Sequence, residues 1–159
     1  MKNWLKNIDD IIATLAVVGV IGLTILNVVS RYVFNQPIQW AEELAIALFI
    51  WFIFIGVSSS IKRNGHVGVD YFVNKLPRPL KIVSEFIRAG AIYFVLIYVF
   101  IYLGSKLALQ ASDKITPILG ISYEIIDIAV PLGGLLSVIH FTFQLVDKYR
   151  NEYRAKKEA

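Results

Sequence analysis

Residues 11–30 read IIATLAVVGVIGLTILNVVS and residues 44–61 read LAIALFIWFIFIGVSSSI, two stretches of 20 and 18 residues without a formal charge. A helix rises about 1.5 Å per residue, so about 20 apolar residues cross a hydrocarbon core of roughly 30 Å. Two further stretches follow the same pattern: residues 89–105, 17 long, and residues 128–146, 19 long, the last with His140 and Gln144 as polar interruptions. The predicted crossings are residues 11–31, 41–61, 86–108 and 124–147, with a charged tail at 148–159. The fold class read from this pattern is an all-α integral membrane protein, four transmembrane helices in a bundle, with residues 1–159 as a single membrane domain. Composition agrees, since 57% of the residues are hydrophobic, 18% are charged and the mean hydropathy is +0.62. The first stretch is read as a retained helix and not a signal peptide: Asp9 and Asp10 interrupt the basic start, the apolar run is too long, and no small-residue cleavage site follows it.

The basic residues predict the orientation. With the N-terminus inside, thirteen of the sixteen lysines and arginines fall on inner segments, and only Arg31, Lys106 and Lys114 face outward. By the positive-inside rule both termini are expected in the cytoplasm. Topology thus accounts for the net charge of +4, and no nucleic-acid partner is expected. The absence of cysteine excludes disulfides, thiolate metal sites and cysteine nucleophiles.

The connections differ in character. Residues 34–40 form a tight outer turn in which Pro37 drives Gln36 out of helical geometry, which makes the first two helices an antiparallel hairpin. The inner connection, residues 62–88, is broken by Gly65 and Gly68 and again by Pro77 and Pro79. Between the two breaks, residues 69–76 suit a short helix in the headgroup plane or an ordinary loop, and the composition leaves both open. In the outer connection, residues 106–122, an apolar centre is expected to pack on the bundle, and Ser122 is a candidate N-cap for the last helix.

Within lipid, polar residues must face protein, water or an interface. At 100° per residue, Gly19, Leu23, Asn27, Ser30 and Arg31 share one side of the first helix. Trp40, Glu43, Ala47, Trp51, Phe54 and Ser58 form a stripe on the second, and Gly133, Ser137, His140, Gln144 and Asp147 one on the fourth. Small or polar faces of this kind suit helix–helix contact. Arg31 closes the first helix at the surface where Glu42 and Glu43 open the second. Arg31 either pairs with Glu43 or extends to the outer headgroups, and Glu42 and Glu43 point 100° apart and cannot both take that role.

Chemistry is sparse. A transport site usually needs an ionisable group near mid-membrane, and every Asp, Glu, Lys and Arg lies at or beyond the end of a predicted crossing. His66 and His140 both fall on the inner side, so a haem or quinone anchor is one alternative. A self-sufficient four-helix transporter is another, although the intramembrane acid of such exporters is missing. The simpler reading pairs His66 with Asp70 in the inner loop and makes His140 a helix-contact residue. Neither a nucleophile constellation, a zinc spacing nor a phosphate loop occurs, so no catalytic centre, cofactor or metal is expected.

The hairpin RYVFNQPIQWAEELA and the following FIGVSSSIKRNGHVGVDYF resemble the small membrane subunit, DctQ type, of tripartite ATP-independent periplasmic (TRAP) transporters. The likeness is carried by Arg31, Tyr32, Phe34, Pro37, Trp40, Glu42, Glu43, Gly56, His66 and Asp70 in order, then by TPILGIS and Pro131-Leu132-Gly133 before His140. It covers essentially the whole chain. It implies a non-catalytic subunit in a bacterial inner membrane, partnered by a large membrane subunit that holds the sodium and substrate sites, by a periplasmic substrate-binding protein and by the phospholipid bilayer. The cargo would be an organic acid of the sialic acid or C4-dicarboxylate type. Carried over by position, Arg31, Trp40 and Glu43 would organise the outer hairpin, and His66 and Asp70 would order the inner loop.

Overall fold

The computed structural model describes residues 8–63 and 77–158. The inner-loop expectations for residues 64–76, namely the short interfacial helix and the His66–Asp70 pair, lie outside the described residues.

Four long apolar helices cross. The first, α1, is Ile8–Val33, opened by Asp9 and Asp10 and closed by Arg31, charges that complement the helix dipole at each end. The hairpin turn follows, with Asn35 in the left-handed region at φ 51°, and α2 runs over Gln39–Lys62. The third crossing starts with α3, Arg78–Phe94, continues through a π-helical stretch, Val95–Leu103, and ends with α4, Gly104–Gln110. Sequence reading treated Pro79 as a breaker. In the structure it sits in the first turn of α3, where a missing N–H leaves no bond unmade, so the helix starts there. The fourth crossing is a short α5, Tyr123–Asp127, followed by α6, Ala129–Glu158, which carries on through the charged tail. Ser122 caps α5 by accepting the Glu124 N–H at 3.2 Å. The interruption between α5 and α6 falls at Ile128, one turn before Pro131, which has no N–H to offer the Asp127 carbonyl.

Packing follows the order first, second, fourth, third: α1 lies along α2, α2 along α6, and α6 along the π-helical stretch. Among the described residues the first and third crossings make no substantial contact with each other. The bundle is therefore an open row, and the second and fourth crossings are its interior members. Close approach between the interior pair depends on Gly133, where a Cβ would stand 2.4 Å from the Phe54 carbonyl oxygen. Gly134 does the same on the opposite side, where a Cβ would meet Phe100 Cβ at 2.6 Å. A buried cluster of Ile61, Leu96 and Phe141 fills the seam between them, ringed by Val57, Ile92, Val138 and Leu145.

Candidate functional site

The polar side chains gather at the two ends of the row. At the hairpin end, buried Asn27 holds the turn with both halves of its amide. Its Oδ1 accepts the Ile38 N–H at 2.8 Å and its Nδ2 donates to Glu42 Oε1 at 3.0 Å. Ser30 Oγ donates to the Gln36 carbonyl at 2.7 Å, which closes the turn from the other side. Arg31 pairs with Glu42, not with Glu43, at 3.2 Å. Of the two readings left open by the sequence, a pair with Glu43 or extension to the headgroups, the structure shows neither, and the reason is angular: Glu42 lies on the side of α2 turned to α1, while Glu43, 100° further round, is turned to residues 118–119. Both partners of the Arg31–Glu42 pair are more than half exposed. Such pairs contribute little, and Arg31→Ala should shift thermal stability by about 0.5 kcal/mol or less, read as the unfolding midpoint in detergent. Tyr32 and Trp40 are exposed at the same end.

Glu43 takes a different part. Its carboxylate accepts the backbone N–H of Ile118 at 3.0 Å and of Leu119 at 2.9 Å. These belong to a turn built on buried Thr116, whose N–H donates to the Ile121 carbonyl at 2.8 Å and whose Oγ1 accepts the Ile121 N–H at 3.0 Å. Gly120, at φ +65°, supplies the left-handed residue that this turn needs. The expected packing of the outer connection on the bundle thus has a specific anchor, a carboxylate clamping two amides. Glu43→Ala should speed hydrogen exchange of the Ile118 and Leu119 amides by about tenfold or more, because each loses a charge-assisted bond. Unchanged protection at both amides would remove the clamp.

At the opposite end, Lys62 Nζ, closing α2, donates to Asp9 Oδ1 at 3.1 Å and to Asp10 Oδ2 at 2.9 Å. Arg63 meets Asp10 at 3.2 Å, and Ser59 donates to the same carboxylate. Asp9 is 2% exposed, so its contact with Lys62 lies inside the protein. His140 Nδ1 lies 3.0 Å from Ser58 Oγ and 3.7 Å from Asp9 Oδ2, which ties α6 to both α2 and α1. Gln144 donates to the Ile61 carbonyl, and Lys148 pairs with Glu85 at 2.7 Å between α6 and α3. Serine, histidine and aspartate come together here, yet both contacts fall on the same ring nitrogen. Nucleophile activation needs the two nitrogens turned to different partners, so the trio acts as a fastening between helices.

The stripes read from sequence on the second and fourth helices meet each other: Phe54 lies against Gly133, Ser58 against His140, and Trp51 Nε1 donates to the Ile125 carbonyl at 3.3 Å. Two features were missed at the sequence level. One is Asn27 as organiser of the turn. The other is Lys62 as partner of Asp9 and Asp10, whose signal was available, since opposite charges end α2 and begin α1 at the same membrane level.

Four apolar crossings whose charged residues are confined to the two ends define a multi-pass membrane protein built for helix–helix assembly. The family model for the DctQ component of tripartite ATP-independent periplasmic transporters matches residues 20–151, and the chain belongs to that family. Among similar proteins, the sialic acid TRAP transporter small permease protein SiaQ of Vibrio cholerae is 28% identical over 138 residues, covering 87% of this chain and 79% of that protein. The sialic acid TRAP transporter permease protein SiaT of Haemophilus influenzae is 29% identical over 140 residues, 87% of this chain but only 22% of that protein's length. The C4-dicarboxylate TRAP transporter small permease protein DctQ of Pseudomonas aeruginosa is 33% identical over 120 residues, 73% of this chain and 57% of that protein.

Proposed function

We propose that this chain is the non-catalytic small permease subunit of a sodium-driven, binding-protein-dependent transporter for an organic acid of the sialic acid or C4-dicarboxylate type. It lies in a bacterial inner membrane with both termini in the cytoplasm and serves as scaffold for a large subunit that carries the transport site. The observation that carries this reading is the placement of charge. Within the described residues every Asp, Glu, Lys and Arg of a crossing lies near an end of that crossing, and those with an assigned role tie neighbouring elements together. A moving transport site needs ionisable or exposed backbone groups near mid-membrane, and the paired charges of this row hold its own elements together. The sodium and substrate sites then belong to the large subunit, and the outer clamp of Glu43 on residues 118–119 holds a fixed surface for the binding protein.

The test is reconstitution. Liposomes containing this chain, the large subunit and the binding protein should take up the acid under an inward sodium gradient, and liposomes with this chain alone should not. Sodium-dependent uptake by the chain alone would overturn the scaffold reading.

A further inference from the structure

The first and third crossings are the two flanks of the row, and they differ chemically. The outer side of α1 presents Leu15, Val18, Ile21, Ile25 and Val29. Its exposed hydroxyls, Thr14 and Thr24, each donate at 2.7 Å to the backbone carbonyl four residues earlier. Lipid can cover such a face with no polar group left over.

The third crossing turns Leu96, Phe100 and Gly104 toward α6. Away from them stands a file of rings. Phe94 stacks on Tyr98 with centroids 5.2 Å apart, Tyr98 on Tyr102 at 5.6 Å, and Lys106 Nζ lies 5.0 Å from the centre of the Tyr102 ring. All three rings are exposed. Tyr102, one turn from Lys106, lies near the level of the membrane surface. Tyr98 does not. It sits near the middle between Arg88 and Lys106, roughly 12 Å of helix from the nearer charge, and its side chain leans back toward the helix N-terminus, away from that surface. Among the described residues its ring has ring neighbours and its hydroxyl has no hydrogen bond. Tyr93, on the inner side, donates or accepts at 2.8 Å with Thr142 Oγ1. An unpaired hydroxyl in hydrocarbon is costly, and this crossing also has only 6% of its apolar window buried, against 39% in the fourth.

We propose that the file Phe94, Tyr98 and Tyr102 is the seam against which a membrane helix of the large permease subunit packs, with a polar group of that subunit meeting the Tyr98 hydroxyl at mid-membrane depth. The identity of the partner rests on the function proposed above; the surface rests on the contrast between the two flanks.

A photo-crosslinking amino acid, p-benzoylphenylalanine, placed at position 98 or, in a separate sample, at position 21 tests it in membranes that hold both subunits, with the tag on the large one. Irradiation should join the two subunits from position 98 and not from position 21. An adduct from 21 but not 98, an adduct of twice this chain's mass from 98, or no adduct from either position while the subunits co-purify would each overturn the seam and leave the scaffold reading standing. Failure of the subunits to co-purify before irradiation would overturn the partner, and the seam with it. Tyr98→Phe keeps the ring and removes the hydroxyl, and it should lower recovery of the large subunit by about threefold or more. Recovery equal to the parent chain would overturn the hydrogen bond.

Discussion

Gly133→Ala should lower the apparent unfolding midpoint of the detergent-solubilised protein by roughly 5–10 °C, the largest loss expected from adding a single methyl group to this chain. The added Cβ would stand 2.4 Å from the Phe54 carbonyl oxygen and 2.7 Å from its carbonyl carbon. Side chains that obstruct a new atom can change rotamer, but a helix backbone cannot, so α2 and α6 would have to move apart. That separation would also stretch the Ser58–His140 contact and the bond from Gln144 to the Ile61 carbonyl, which bridge the same two helices. Overpacking typically costs about 1–3 kcal/mol, and an obstacle made of backbone places this site at the upper end. Gly22→Ala is the control: nothing lies within 4 Å of its added atom, and alanine is the better helix former by up to about 1 kcal/mol. Its midpoint should stay level or rise slightly. Equal midpoints for the two variants would mean that α2 and α6 do not approach as closely as described.

Lys62→Met should cost about 3–5 kcal/mol, because it removes one partner of a largely buried ion pair and leaves the other charge behind. Lys62 is 18% exposed as a side chain and Asp9 only 2%, and the ammonium serves both Asp9 and Asp10. Asp10 retains Arg63 and Ser59, so Asp9 bears most of the loss. Its second oxygen, Oδ2, already has no hydrogen-bond partner among the described residues, and His140 Nδ1 stands 3.7 Å from it. Combining Asp9→Leu with Lys62→Met should recover more than half of the lost stability, since replacing both members of a buried pair with apolar groups is often neutral. Midpoints from thermal unfolding of the single and double variants decide it. A double variant no more stable than Lys62→Met alone would show that the lysine acts through something other than Asp9.

Both variants probe contacts that bind neighbouring helices, and they mark what was readable in advance. Four uncharged stretches near 20 residues announce the crossings, because nothing else in a chain of 159 residues needs them. The polar stripes on the second and fourth helices followed from 3.6-residue periodicity, since a polar group in hydrocarbon has to find a partner; that the two stripes face each other did not. Periodicity gives a direction around one helix axis and no more. It set Glu42 and Glu43 100° apart, but whether α1 lay beside one or the other depended on how α2 was rotated in the row, so the choice of Arg31's partner was open. The same holds for Pro79, where a proline marks an irregularity and only the helix start shows it to be an opening residue and not a break.

By itself, the sequence determined that this protein is a four-helix membrane protein with its charges at the membrane surfaces, because the hydrophobic thickness of a bilayer acts on each segment separately. The tertiary structure alone decided that the helices stand in an open row with the third at one flank, that Asn27 and Glu43 hold the two connections at the hairpin end, and that Lys62 pairs with Asp9. Those features depend on distances between segments far apart in the chain, and local pattern does not encode such distances.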